Sequence, residues 1–209
     1  MDLRTILFKI YNVIKPIRQK GIGNEIVLPK KYKNVKILVN GNNNKIFFAE
    51  DCFLNNTEII INGDNNKVVV GSKARFLGSH NATIFVNMNS IGTFEVGENS
   101  SLRAVKCEIN GAAIRIGKNV MTSYGIYLRN HDSHKVLSVE TGEVPNPPAD
   151  INIGDHVWLC EGSTILKGVT IGNDSIIALK SLVTKDVPAN SIAAGCPSKI
   201  VKTGVSWDY

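Results

Sequence analysis

From Ile153 onward an aliphatic residue returns at every sixth position: Ile153, Leu159, Ile165, Ile171, Ile177 and Val183. Two residues before each following member stands a small or β-branched residue: Val157, Ser163, Val169, Ser175, Ser181 and Val187. Gly154 and Gly172 come directly after aliphatic positions, and Ala178 follows Ile177. A period of six is neither the 3.6-residue period of an amphipathic helix nor the two-residue alternation of a half-buried strand. It is the period of a coil in which six residues form one short strand and one tight turn, and three such units close a triangle of about eighteen residues. The aliphatic side chain points into the prism and stacks on its equivalents in the coils above and below. The small residue fits the narrow corner, and glycine tolerates the turn dihedrals.

Upstream the pattern loosens. Val70-Gly71, Val96-Gly97 and Ile116-Gly117 keep the aliphatic-glycine pair. The stretches Asn40-Gly41-Asn42-Asn43-Asn44-Lys45 and Asn62-Gly63-Asp64-Asn65-Asn66-Lys67 are near copies, and Ile109-Asn110-Gly111 is a further relative. Coils longer than eighteen residues are expected here, with the Asn-Gly segments as a stacked ladder of turns that require positive φ. One segment breaks the repeat outright. Between Leu128 and Ile151 lie Arg129-Asn130-His131-Asp132-Ser133-His134, then Thr141-Gly142-Glu143, then Pro145, Pro147 and Pro148. Prolines and charges deny this stretch a place in the prism, so a loop is expected to protrude around 129–150. The first twenty residues differ again: Leu3, Ile6, Leu7, Ile10, Val13, Ile14 and Ile17 recur at helical spacing among basic residues, until Gly21 and Gly23. The expected organisation is all-β: an N-terminal amphipathic helix over 1–22, a parallel β-helix prism over 23–203 with its loop, and a tail over 204–209.

Composition narrows the functional classes. The net charge of +6, from 24 Lys+Arg against 18 Asp+Glu, hints at an anionic partner. The basic residues are dispersed and aromatics amount to 7%, so the stacking platform that single-stranded nucleic acid needs is missing and nucleic acid is not an expected partner. Cys52, Cys107, Cys160 and Cys196 form no Cys-x-x-Cys pair and read as buried free thiols. Neither a signal peptide nor an apolar run long enough to span a membrane is visible, and the chain reads as cytoplasmic. The basic helix of residues 1–20 either packs on the main domain or between subunits, or rests peripherally on the anionic inner face of a membrane.

Two of the four histidines sit in the loop. Imidazole is the side chain suited to taking a proton from a hydroxyl at neutral pH. The residues around it, Asp132-Ser133-His134-Lys135-Val136 and Gly142-Glu143, are followed by Ile153-Gly154-Asp155-His156-Val157-Trp158 and Leu166-Lys167-Gly168-Val169-Thr170-Ile171-Gly172. Val183-Thr184-Lys185-Asp186 and Gly195-Cys196-Pro197-Ser198-Lys199 close the series. Over residues 116–203 this set resembles the left-handed β-helix acyltransferases, and in particular the bacterial capsule and sialic-acid O-acetyltransferases.

The resemblance implies an acetyl-CoA-dependent O-acetyltransferase acting on a glycan acceptor, without a metal. It implies His134 as general base and Asp132 as a residue that orients the imidazole or positions the acceptor, although a turn-capping aspartate reads almost equally well. His131 is the rival base outside the Asp-x-His pattern, and His156 reads as a surface residue. Trp158 would stand beside the thioester or the acceptor sugar. Ala178 would border the pantetheine groove, with Lys180, Lys185, Lys199 and Lys202 as candidate phosphate partners and Pro197 beside the adenine. Lys180 departs from the glycine or arginine common at its position, and Cys196 from the usual asparagine or valine. The prism also implies a homotrimer with active sites between subunits. The alternative within the enzymes is N-acetylation of a nucleotide-linked amino sugar, though no Gly-rich βαβ unit accompanies this prism. A γ-type carbonic anhydrase needs three zinc histidines in a pattern this chain lacks, and a non-catalytic β-helix would have no use for the His134 loop.

Overall fold

A computed structural model describes residues 17–79 and 83–208. The chain winds as a left-handed parallel β-helix of three faces. In chain order, the first face carries Val105–Ile109, Ile126–Arg129, Thr164–Leu166 and Leu182–Val183, the second Ala113–Ile116, Ile151–Ile153 and Thr170–Ile171, and the third Met121–Thr122, Trp158–Leu159, Ile176–Ile177 and Ser191–Gly195. Each strand pairs in parallel with its equivalent one coil away: Leu128 with Ile165, Ile165 with Val183, Ile153 with Ile171, Leu159 with Ile177. The six aliphatic positions of the strict repeat are all buried, as are the small residues that precede them.

The earlier coils are wider, as the spacing predicts. Ile37 pairs with Ile59 and Ile59 with Val86, and the extra cross-section is filled by Phe48, Phe76 and Phe94, with Phe76 and Phe94 packed edge to face at 6.4 Å. The strands Lys31–Asn40 and Phe53–Asn62 run from the third face onto the first, bending at Asn34 and Asn56, where φ is positive. The Asn-Gly segments are the ladder of turns expected. Asn44 accepts from the backbone N–H and Nδ2 of Asn66, and Asn24 accepts from those of Asn44, at 2.9–3.0 Å throughout. Asn44 and Asn66 are fully buried, and the ladder satisfies their donors, which would otherwise be costly there, while Oδ1 of Asn66, at its last rung, has no partner among the described residues.

Two expectations need correction. The helix expected over 1–22 does not extend to its C-terminal end: Ile17–Lys20 is a strand paired in parallel with Ile37–Asn40. The neighbouring coil supplies a ladder of backbone partners that a lone helical turn cannot match, so helical spacing is overridden there. Gly21 and Ile22 lie in a bend, and residues 1–16 of the expected segment lie outside the described residues, as does His80. Of the four free thiols, Cys52 and Cys107 are buried, with desolvation pushing the Cys52 thiol up to about 11, but Cys160 is only half-buried and Cys196 is exposed. Cys196 occupies the turn of the terminal antiparallel hairpin, beyond the last coil that could cover it. Among the described residues no helix is long and apolar enough to cross a membrane.

Candidate active site

The insertion leaves the prism at the edge between the first and second faces. The first-face strand ends at Arg129 and the second-face strand resumes at Ile151, while the core register continues from Leu128 to Ile165. Both ends of the excursion are pinned. At the exit, the Arg129 guanidinium donates from Nε to the carbonyl of His131 at 2.9 Å and from Nη2 to Oγ of Ser133 at 2.5 Å. Arg129 itself lies 3.7 Å from the carboxylate of Glu108, which also accepts from the Tyr127 hydroxyl at 2.7 Å and pairs with Lys106. At the return, Asp150 accepts from the Ala113 N–H at 2.8 Å and from Arg115 at 2.6 Å, and these contacts hold its carboxyl below the usual carboxylate range.

Within the loop, Asn146 ties the two arms together. Its side chain donates to Asp132 at 2.8 Å and to the carbonyl of His134 at 3.0 Å, and accepts from the Val136 N–H at 2.8 Å. Lys167, from the coil above, donates to Asp132 at 2.6 Å and to the Asn146 carbonyl at 3.1 Å. The Lys167 ammonium, then the Asn146 amide, lower the Asp132 pKa. Asp132 therefore serves as the anchor of the loop. The His134 ring is left exposed to solvent while its backbone is fixed. His131, by contrast, is buried; its Nδ1 lies 3.1 Å from the Asp132 carbonyl, and its Nε2 has no partner among the described residues, nor does Nδ2 of the buried Asn130.

The remaining predicted residues divide among the prism edges. Trp158 opens a third-face strand, half-buried on the outside of the prism, with its indole N–H buried and unpartnered among the described residues. Ala178 and Lys180 lie at the edge between third and first faces, where Gly195 bonds to Ser181, and Pro197 and Lys199 sit on the hairpin that continues from there. Lys202 is exposed further along the hairpin, whereas Lys185 lies between the Val183 strand and the Val187 bridge, on the same edge as the His134 loop. Along the second face and its far edge runs an open groove of about 610 Å³, past Arg115, Lys118 and Asp155. Its floor is glycine: a Cβ on Gly117 would come within 2.6 Å of the Gly154 backbone. Among the described residues no cluster of three or more His, Cys, Asp or Glu side chains is placed to hold a metal ion.

His156, expected at the surface, is half-buried, because its ring stacks on Trp207 of the C-terminal tail at 4.3 Å. Trp207, Lys167, Asn146 and Arg129 are the site neighbours that motif reading assigns no role. Only the large aromatic character of Trp207, beyond the last strand of the prism, signals it beforehand.

No protein-family model matches the chain. The polysialic acid O-acetyltransferase of Neisseria meningitidis is 32% identical over 164 residues, covering 72% of this chain and 69% of that protein. The chain belongs to the hexapeptide-repeat acetyltransferases. For the galactoside O-acetyltransferase of Escherichia coli K12, 36% identity extends over 96 residues, 45% of this acetyltransferase and 46% of that enzyme. The match to other curated relatives likewise spans about half their length. In three dimensions the acetyltransferase superposes on the polysialic acid O-acetyltransferase OatWY with a TM-score of 0.84 and 28% identity, over 92% of this chain and 91% of that one.

Proposed function

We propose that this acetyltransferase moves the acetyl group of acetyl-CoA to a hydroxyl of a bacterial surface glycan, a sialic-acid-containing capsular polysaccharide, with His134 as general base. The observation that carries the reading is the His134 loop: an exposed imidazole on a backbone clamped by Arg129, Asn146 and the Lys167–Asp132 pair. An accessible base held rigidly is what proton abstraction from a large acceptor requires. The names of the relatives support the acceptor class.

In this mechanism a ring nitrogen of His134 takes the proton of the acceptor hydroxyl as its oxygen attacks the thioester carbonyl. The tetrahedral oxyanion collapses, the C–S bond breaks, and the coenzyme thiolate leaves and is protonated by the imidazolium. The acceptor keeps the acetyl ester, and free coenzyme A departs. No covalent acyl-enzyme is required. Acetyl-CoA is the co-substrate, and the residues suit it. The buried donor on Trp158 has no partner among the described residues, and it is the kind of group that a bound substrate satisfies. Ala178, Lys180, Pro197 and Lys199 line one prism edge with small and cationic side chains, suited to a pantetheine arm and its phosphates. His134 and Trp158 leave the prism with the second face between them, so a site uniting them draws on two chains. A homotrimer packed through the prism faces would supply three such sites.

The test is thiol release from acetyl-CoA with polysialic acid, a neutral glycan and a nucleotide-linked amino sugar as acceptors. Turnover on polysialic acid is expected, falling by about 10²–10⁴ in His134→Ala. Turnover with the amino sugar alone would establish N-acetylation instead, and an unimpaired variant would remove His134 from the mechanism.

A further inference from the structure

The C-terminal tail descends the prism one coil per residue. Val205 donates its N–H to the carbonyl of Asn190 at 3.0 Å, Ser206 its hydroxyl to Asp174 at 3.2 Å, and Trp207 its indole N–H to the carbonyl of His156 at 2.7 Å. Asn190, Asp174 and His156 are the left-handed corner residues of three successive coils, with φ of 55°, 59° and 54°. At this edge the earlier corners are Lys73, Asn99 and Asn119, so an imidazole stands where the adjoining coils use a short amide or acid. That imidazole is gripped from two sides. Its Nδ1 lies 2.8 Å from Asp174, and its ring lies flat on the Trp207 indole, at 4.3 Å and 14°.

At Trp207 the tail reaches Trp158. The Trp207 ring centroid is 6.0 Å from that of Trp158, with the planes tilted by 46°, within the range of a favourable aromatic pair. Trp207 itself is only 9% exposed. An indole projecting from the outside of a two-residue strand has little of its own coil to fix its rotamer. Here the adjoining wall is supplied by a residue forty-nine positions later. The prism does not depend on this wall, because its interior is filled by the aliphatic columns.

We propose that Trp207, seated on His156, is a positioning residue that holds the Trp158 indole in its working orientation. The inference rests on Trp158 belonging to the active site as proposed above. The strap then acts through orientation: a displaced indole still leaves donor and acceptor bound, but out of line for transfer.

These are the only two tryptophans of the chain, so fluorescence excited at the red edge of the indole band, where the five tyrosines do not absorb, reports the pair and nothing else. Trp207→Ala is expected to lower kcat about tenfold or more, with KM for acetyl-CoA within about twofold. Its remaining emission, from Trp158, shifts to the red and becomes quenchable by acrylamide. Trp207→Phe, which keeps a ring against His156, recovers most of kcat. Trp207→Leu, which keeps apolar bulk without a ring, is read in place of the alanine variant should the latter melt below the assay temperature. Wild-type kcat in Trp207→Ala or Trp207→Leu alongside an impaired Trp158→Ala would overturn the inference while leaving the site intact. Wild-type turnover in Trp158→Ala would instead take Trp158 out of the site, and the inference with it.

Discussion

At the scale of the residue, the site is defined by what Asp132 touches. Next to a histidine in sequence, an aspartate suggests a partner for the imidazole, yet its carboxylate receives Lys167 and Asn146. Those hydrogen bonds depress its pKa, so the anchor is present above the ordinary carboxylate range and is lost only as pH falls through the lowered value. Backbone amide exchange over 132–136 is therefore expected to stay slow through the ordinary carboxylate range. Lys167→Met should move the onset of fast exchange upward, towards that range, and an onset that does not move would show that the ammonium is not what holds the acid. The sequence exposes Asp132 and His134 because they are neighbours within one motif. It hides the Lys167 partner because that residue is thirty-five positions away, and only the coil register brings the two together.

At the scale of the element, the insertion is a loop fastened at its base. Its limits were legible, since repeat failure and prolines bracket the segment between Arg129 and Ile151 that the strands skip. Its fastening was not, because Arg129 reads as one more surface cation until Glu108 is brought beside it from the preceding coil. Arg129→Ala is expected to lower kcat about tenfold and to speed amide exchange at 131–136, with little change in melting temperature. Arg129→Lys should restore little, because an ammonium cannot reproduce the two-point fork onto His131 and Ser133. Unchanged exchange in the alanine variant would show that the loop is held elsewhere. The N-terminal strand Ile17–Lys20 teaches the opposite lesson: a short stretch with helical spacing yields to a neighbouring coil that offers a complete row of backbone partners.

At the scale of the molecule, the strict repeat made the prism readable over 153–187, whereas the earlier coils had to be inferred from aliphatic-glycine pairs and Asn-Gly copies. Their widths vary with the residues that fill them, and no fixed period records that. Under the proposed function, the divided placement of His134 and Trp158 calls for two chains at each site. Light scattering is expected to give three times the 22.8 kDa chain mass. Co-refolding His134→Ala with Trp158→Ala subunits is expected to recover turnover that neither variant has alone, since some interfaces then pair an intact base with an intact indole. A monomer, or mixtures no more active than their parents, would place each site within a single chain.

The register that passes unbroken from Leu128 to Ile165 means that the twenty-one residues of 130–150 are a detour which the aliphatic columns do not count, fastened to the coils only near its two ends and through Lys167. Durability and chemistry are thereby written in separate stretches of one polypeptide. The coils tolerate almost no change of volume, while the rest of the detour can be rewritten so long as its moorings, Arg129 and Asp150, and the clamp of Asp132 and Asn146 around His134 are kept. Such a chain can acquire a new acceptor by exchanging a cassette, without renegotiating how it folds.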